Sequence, residues 1–221
     1  MKILTIDTSS KNLNIALNID GETGGLFIKD CNLTHSEVLM RNIDSVLKSS
    51  NLKLSDFDYF GCCIGPGSFT GIRIGVTTIR AFAQVFKKPC IAVNSLELFA
   101  YNLKSSIVIS CVNAMQNKIY YCVFKDRTQI TEPSYLEIKD FNELYSKYNG
   151  IVVSDIEIPG IETVYPKNLN KNLSELSKKA AAEKRVVDYN NLVPLYVRNS
   201  SAEKINPLND MRVLAYDKIL E

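Results

Sequence analysis

The chain has 221 residues, of which 46% are hydrophobic and 23% are charged, a composition that excludes an intrinsically disordered protein. Its formal net charge of +2 does not by itself indicate the concentrated basic surface that binding to nucleic acid requires. The apolar run at the N-terminus is interrupted at Asp7. We therefore expect neither a signal peptide nor a membrane span, and we predict a cytoplasmic protein.

Three consecutive strands joined by tight turns are predicted at the start of the chain. An apolar run over 2–7 is followed at 13–19 by alternating apolar and polar residues, which predicts a strand with one buried face. Asp20-Gly21 predicts a hairpin turn, and 24–28 the return strand. The first turn holds Asp7-Thr8-Ser9. These residue types are typical of turns, so their presence does not require a further function.

A helical pattern begins at Thr34, where Thr34 or Ser36 can cap the helix together with Glu37. Its apolar stripe consists of Leu39, Ile43, Val46 and Leu47. Asn51 ends this helix, and the next strand is predicted over 57–64. His35, the one histidine of the chain, is expected to be a capping or surface residue, because no second histidine lies at ligand spacing.

A glycine-rich elbow over 65–75 joins that strand to a helix that ends near Phe86. Its glycines allow another backbone or an anion to come close, and Ser68 or Thr70 can cap the helix. The elbow lacks the lysine of a Walker loop, and Thr70 occupies the last glycine position of G-x-G-x-x-G. Apolar and small residues occupy nearly all sides of the helix, which predicts either a central core helix or one that packs on the core and a partner together.

The second half of the chain repeats the arrangement of the first. After Pro89 a short strand at 90–93 leads to a helix that Ser95 caps and that extends to about Leu103. Strands are then predicted at 106–112, 119–124 and 130–136, a helix at 141–148 and a strand at 151–154. The repeat predicts two similarly folded lobes, 1–105 and 106–221.

The remaining chain is predicted to hold a helix over 173–184 and a break at Asn206-Pro207. Basic residues cluster here, with Glu175 and Glu183 between them, which favours a solvated helix face over contact with RNA. The basic residues are Lys167, Lys171, Lys178, Lys179, Lys184 and Arg185. No C-x-x-C pair occurs, so we predict buried free thiols rather than a zinc site or disulfides. The cysteines are Cys31, Cys62, Cys63, Cys90, Cys111 and Cys122.

Five segments, whose order and spacing span most of the chain, carry a resemblance to a known family. They are 1–9, His35-Ser36-Glu37, 65–75, Val93-Asn94-Ser95-Leu96 and Pro194-Leu195-Tyr196-Val197-Arg198. Together they resemble the bacterial TsaB family, subunits of the apparatus that places threonylcarbamoyl on the adenosine beside the tRNA anticodon. The resemblance implies an α/β, two-lobed fold of the actin, sugar-kinase and Hsp70 type, each lobe a mixed sheet with flanking helices.

The same resemblance implies a subunit without catalytic residues of its own, which pairs with a catalytic TsaD-like relative. TsaD carries a pair of metal-binding histidines, and the single His35 resembles the non-catalytic branch. A TsaE-like ATPase would join the heterodimer, tRNA would be contacted through the complex, and the chain alone would form a homodimer. The implied partner interface comprises Ser36, Leu39, Met40, Ile43, Leu47, Thr70, Arg73, Ile74, Thr77, Thr78 and Ala81.

A nucleotide site is the further implication of the resemblance. Asp7, Thr8 and Ser9 match the position of the first phosphate loop in nucleotide-binding members of the superfamily. No cofactor or metal is expected on the chain itself, and ATP or ADP with Mg²⁺ belongs to the complex. The sequence departs from the family where Asn113-Ala114-Met115 replaces Asp-Ala-Arg and removes two charges.

An independent enzyme of the same superfamily, an ATP-dependent kinase or a peptidase, is the alternative. The two-lobe arrangement and Asp7-Thr8-Ser9 motivate it. Turnover of ATP or peptide by the purified chain separates this alternative from the partner subunit.

Overall fold

The computed structural model describes residues 1–31 and 34–197. The helices are α1 (His35–Ser49), α2 (Phe69–Phe86), α3 (Ser95–Ala100), α4 (Phe141–Tyr148) and α5 (Leu169–Ala182). The strands are β1 (Lys2–Asp7), β2 (Leu13–Ile19), β3 (Glu22–Ile28), β4 (Tyr59–Gly65), β5 (Cys90–Asn94), β6 (Ile107–Asn113), β7 (Lys118–Lys125), β8 (Thr128–Gln129), β9 (Ser134–Glu137), β10 (Ile151–Ser154) and β11 (Thr163–Val164). Arg198 and Asn206-Pro207, which the sequence analysis used, lie outside the described residues.

The first sheet has the order β3-β2-β1-β4-β5. Strands β1, β2 and β3 are antiparallel, whereas β4 and β5 run parallel to β1. Asp20 and Gly21 both have positive φ, at 52° and 100°, as a two-residue hairpin turn requires. The predicted opening of three strands is confirmed.

The second sheet repeats this arrangement. Strand β7 pairs antiparallel with both β6 and β9, β10 lies parallel to β6, and β11 lies parallel to β10. The strands β9-β7-β6-β10-β11 therefore match β3-β2-β1-β4-β5 in order and direction. Two mixed sheets with flanking helices confirm the predicted two-lobed α/β fold, while the boundary near residue 105 stays a prediction.

Helices and sheets alternate in layers. Helices α1 and α2 cover one face of the first sheet through a core that includes Ile43, Phe60 and Val76. Helices α3 and α5 share a second core with residues of both sheets, such as Ile3 of β1 and Val153 of β10. Helix α4 covers the other face of the second sheet. The helices α1 and α2 consequently lie on the outside of the first lobe.

Strand β2 is buried on both faces, so the prediction of one buried face is wrong. Its polar residues Asn14 and Asn18 are each 1% exposed. They meet α5, where Asn170 Nδ2 donates to Asn14 Oδ1 at 2.9 Å and Asn18 Nδ2 donates to the Ser174 hydroxyl at 3.1 Å. Hydrogen bonds to α5 thus hold the Asn14 side-chain oxygen and the Asn18 side-chain nitrogen inside the protein, whereas the buried Asn14 Nδ2 has no partner among the described residues. The polarity of these residues therefore did not mark a solvent-facing side.

Helix α3 differs from its prediction at both ends. It ends at Ala100 rather than near Leu103. The capping residue is Asn94, whose side-chain oxygen accepts from the backbone N–H of Leu96 at 2.8 Å. The Ser95 hydroxyl donates instead to the Ser9 hydroxyl at 3.3 Å, inside the core.

Of the predicted strand at 130–136, only the second half is a strand, β9, and the segment 130–133, which contains Pro133, separates it from the short strand β8 that precedes the predicted range. Proline has no N–H to donate to a ladder, which explains the interruption. Helix α5 begins at Leu169, four residues before the predicted start at 173. The five cysteines from Cys62 to Cys122 are buried free thiols as predicted, and Cys31 is half-buried.

Candidate functional site

The elbow and the first turn of the chain are joined by hydrogen bonds. The Ser68 backbone N–H donates to the Ser9 carbonyl oxygen at 2.7 Å. The Ser68 hydroxyl accepts from the backbone N–H of Gly71 at 3.2 Å and so caps α2, as predicted. The first turn therefore fixes where α2 begins.

The backbone of the first turn lies directly against Gly71. A Cβ atom at Gly71 would be 2.0 Å from the carbonyl oxygen of Thr8. The Thr8 hydroxyl donates to the Gly71 carbonyl oxygen at 2.7 Å, which links the same two segments a second time. The sequence left open whether the elbow receives an anion or another backbone, and at Gly71 it receives the backbone of Thr8.

The three predicted nucleotide-binding residues are turned towards the protein interior. Asp7, Thr8 and Ser9 are each 5% exposed or less. Both the backbone N–H and the hydroxyl of Ser9 donate to Asp7 Oδ1, at 2.8 and 2.7 Å. Burial raises the pKa of Asp7 above its ordinary value of 3.8, and the hydrogen bonds from Ser9 oppose this only in part.

This burial gives a pH dependence that can be measured. The pKa of Asp7 is higher in the folded protein than in the unfolded chain. The free energy of unfolding that depends on Asp7 therefore falls as pH rises from 3.8 to the raised pKa of the folded state. Asp7→Asn keeps an oxygen for Ser9 and removes the ionisation. We expect the free energy of unfolding of the variant, relative to the wild type, to increase as pH rises above 3.8.

Urea unfolding of both proteins across that pH range checks the expectation. The comparison isolates Asp7, because every other titrating group is common to both proteins. A difference between the two proteins that stays constant with pH would contradict it.

A cleft of about 800 Å³ lies between the two lobes. The turn after β1 lines one side with Ser9, Ser10 and Lys11, and the turn between β6 and β7 lines the other with Asn113 to Gln116. The elbow and Leu195 to Val197 also line it, together with His35, Val112, Tyr120, Asp155 and Ile156. Of the three predicted nucleotide-binding residues, only Ser9 is among the residues that line this cleft.

The residues that depart from the family pattern also line the cleft. The Asn113 backbone N–H donates to Asp155 Oδ1 at 2.9 Å, and the Asn113 side-chain oxygen accepts from the Met115 N–H at 2.8 Å. Burial raises the pKa of Asp155, and the bond from Asn113 opposes the shift in part. Met115, where the family commonly has arginine, is 68% exposed.

A groove of about 510 Å³ lies between α1 and α2. The residues that line it are Ser36, Leu39, Met40, Phe69, Thr70, Arg73, Ile74, Thr77 and Thr78. Eight of these nine residues belong to the predicted partner interface, and Phe69 is the exception. Sequence reasoning assigned Phe69 no role, although an aromatic residue beside the cap of an interface helix could have marked it.

The predicted interface residues lie at different depths. Leu39, Ile43 and Leu47 are 1%, 1% and 8% exposed, because they attach α1 to the core. Met40 is 52% exposed, and Ala81 is exposed on α2 one turn beyond Thr77. The surface available to a partner is therefore formed by the exposed and half-buried members.

Comparisons with known proteins identify the family of the chain. The family model described as "TsaD: tRNA N6-adenosine threonylcarbamoyltransferase" matches residues 12–203. The chain belongs to this family. Within the TsaD family, it is 28% identical to the tRNA threonylcarbamoyladenosine biosynthesis protein TsaB of Bacillus subtilis, over 92% of this chain and 96% of that protein. It is 24% identical to TsaB of Escherichia coli, over 94% and 99% of the two chains. The predicted TsaB resemblance is confirmed.

Relatives named as transferases match a shorter segment of the chain in pairwise comparison. A tRNA N6-adenosine threonylcarbamoyltransferase from Novosphingobium aromaticivorans is 38% identical over 74 residues, which is 34% of this chain and 21% of that protein. Among solved structures, "YeaZ from Pseudomonas aeruginosa" superposes with a TM-score of 0.72 at 19% identity, over 88% of this chain and 99% of that chain. That likeness supports the fold.

Proposed function

We propose that this chain is a non-catalytic subunit in the formation of threonylcarbamoyladenosine on tRNA, and that it pairs with a TsaD-like catalytic subunit. The groove between α1 and α2 is the observation that carries the proposal. Residues from two neighbouring helices line this groove, and all but Arg73 are uncharged. Uncharged faces that exclude water on association are typical of the centre of a protein interface.

The shape of the groove favours a helix as its occupant. Thr70, Ile74, Thr77 and Ala81 recur at intervals of three or four residues and therefore form one row along α2. The small side chains of this row, Thr70, Thr77 and Ala81, allow the backbone of a second helix to approach closely. Met40 on α1 adds an exposed, flexible apolar side chain that adapts to an irregular partner surface.

The thiol, imidazole and carboxylate groups that could act as nucleophile or base are held in states that support a non-catalytic role. Burial raises the pKa of the Cys63 thiol, which opposes formation of the reactive thiolate. His35 Nε2 donates to the Asn12 carbonyl oxygen at 3.0 Å, and Asp7 accepts from Ser9. In this proposal, the TsaD-like partner supplies the catalytic groups.

The remaining partners follow from the same arrangement. We propose that a TsaE-like ATPase and tRNA join through the complex, and that the protein acts in the cytoplasm. No helix in the described part of the chain is long and apolar enough to cross a membrane. The chain alone would form a homodimer through the same groove, so adding the TsaD-like protein is expected to convert homodimers into heterodimers.

Reconstitution of the modification tests the proposed role. The TsaD-like and TsaE-like proteins, tRNA and the precursors of the threonylcarbamoyl group are incubated with and without this chain, and modified adenosine is measured. We expect modification to need this chain at amounts equimolar with the TsaD-like protein. An equal rate without the chain, or full activity at a small fraction of equimolar, would contradict a stoichiometric subunit.

The cleft favours an alternative, in which the chain is an enzyme that acts on a small molecule or peptide. Its volume of about 800 Å³ is within the range of about 300–1,000 Å³ that ligand sites occupy. Turnover of ATP or peptide by the purified chain, retained through purification and abolished by Asp155→Asn in the cleft, would favour this alternative. Absence of turnover, with nucleotide or peptide at millimolar concentration, would favour the subunit.

A further inference from the structure

Arg73 is held in a defined position at the edge of the groove. Its guanidinium carbon lies 3.7 Å from the centre of the Phe69 ring, and its Nε donates to the Tyr196 hydroxyl at 2.9 Å. The rings of Phe69 and Tyr196 are themselves in contact, with centroids 5.5 Å apart. The guanidinium is thus oriented by a ring beneath it and by a hydroxyl at Nε.

The two terminal nitrogens of this guanidinium have N–H donors that remain available to a partner. An arginine has five N–H donors, and the bond to Tyr196 uses the one on Nε. Within residues 1–31 and 34–197, no carboxylate forms an ion pair with Arg73. The two terminal nitrogens have the planar fork that matches a carboxylate.

The surroundings of Arg73 determine what a partner must bring. Every other residue that lines the groove is uncharged. A partner that covers the groove removes water from Arg73, and a desolvated cation without a counter-ion is costly. We infer that the TsaD-like partner places the carboxylate of an aspartate or glutamate, carried on the helix that occupies the groove, against the outer end of Arg73. This inference rests on the proposed function, which it deepens.

A carboxylate of a protein fits this place better than a phosphate of tRNA. Binding to a nucleic-acid backbone uses several cations at once, and the groove lining provides one. The neutral residues around Arg73 match a helix surface, and the preordered guanidinium loses little freedom on pairing. The tRNA phosphate becomes an outcome that the experiment can detect.

Charge reversal tests the pairing. The affinity of the full-length chain for the TsaD-like protein is measured by titration calorimetry for the wild type, Arg73→Gln and Arg73→Glu. We expect Arg73→Gln to weaken binding about 30-fold and Arg73→Glu more strongly. Lys125→Glu, an exposed residue on β7, changes the net charge as much as Arg73→Glu and is expected to leave the affinity within about twofold of the wild type.

A rescue experiment identifies the partner's residue. Exposed acidic residues on the helices of the TsaD-like protein are changed singly to lysine. One such change is expected to raise the affinity for Arg73→Glu at least tenfold. Thermal unfolding of each variant establishes that it is folded, and the neutral Arg73→Gln remains available if the charge reversal impairs folding.

Three outcomes would overturn the inference. Wild-type affinity in folded Arg73→Glu and Arg73→Gln excludes an ion pair at the interface. Failure of every lysine substitution to rescue excludes an acidic side chain on those helices. If the Arg73 variants lose tRNA binding while their affinity for the TsaD-like protein is unchanged, Arg73 contacts a phosphate of tRNA instead. In each case the wild type still binds its partner, whereas failure of the proposed function appears as no binding by the wild type.

Discussion

Gly71→Ala is expected to lower the free energy of unfolding by about 4 kcal/mol, a large effect for a single added methyl group. The added Cβ would lie 2.0 Å from the carbonyl oxygen of Thr8. The obstacle is backbone in the middle of the first turn, which no change of side-chain rotamer can relieve. The start of α2 must therefore move away from the turn, and the hydrogen bond from the Thr8 hydroxyl is stretched with it. Urea unfolding of the wild type and the variant measures the difference.

Gly24→Ala is the matched control. It makes the same chemical change in β3, where an added Cβ meets nothing within 4 Å. We expect its free energy of unfolding to stay within about 1 kcal/mol of the wild type. If Gly71→Ala were no more destabilising than Gly24→Ala, the close packing of the elbow on the first turn would be disproved.

Met40→Glu is expected to weaken binding to the TsaD-like partner about 100-fold. The substitution replaces an exposed apolar side chain of the groove with a carboxylate that binding would have to desolvate. Because Met40 is 52% exposed, the fold itself should tolerate the change. Titration of the TsaD-like protein with the variant measures the affinity, and the rate of tRNA modification should fall in parallel.

Ser45→Glu controls for the added charge on the same helix. Ser45 is exposed, and nine positions at about 100° per residue place it on the side of α1 opposite Ser36, which lines the groove. Its affinity should stay within about twofold of the wild type. Equal losses for Met40→Glu and Ser45→Glu would indicate a general charge effect rather than an interface at the groove.

Local sequence patterns predicted the parts of the fold that neighbouring residues determine. The hairpin at Asp20-Gly21, the cap by Ser68 and the bounds of α4 depend on residues within one or two turns, and each was found as predicted. The repeated strand order was also predictable, because the strands and helices of each lobe follow one another in the same order along the sequence. The eight predicted residues that line the groove were found through a family resemblance combined with helical spacing.

Contacts between distant segments could not be predicted in the same way. The two amides of β2 looked solvent-facing until α5, more than 150 residues further along the chain, was seen to bind them. Tyr196 gives no sign in the sequence of contacting Arg73, which is 123 residues away. The sequence placed Asp7 in a turn but did not indicate its burial, which tertiary packing determines. In each case an element distant in sequence decides the environment of the side chain.

Hydrogen–deuterium exchange of this chain, alone and with the TsaD-like protein, tests most directly whether the groove binds the partner. We predict slower exchange in α1 and in the first half of α2 when the partner is added, and unchanged exchange in α4. The measurement requires a chain that is mostly monomeric when free, which low concentration favours. Slower exchange confined to the turns that line the cleft, with α1 and α2 unchanged, would contradict the account.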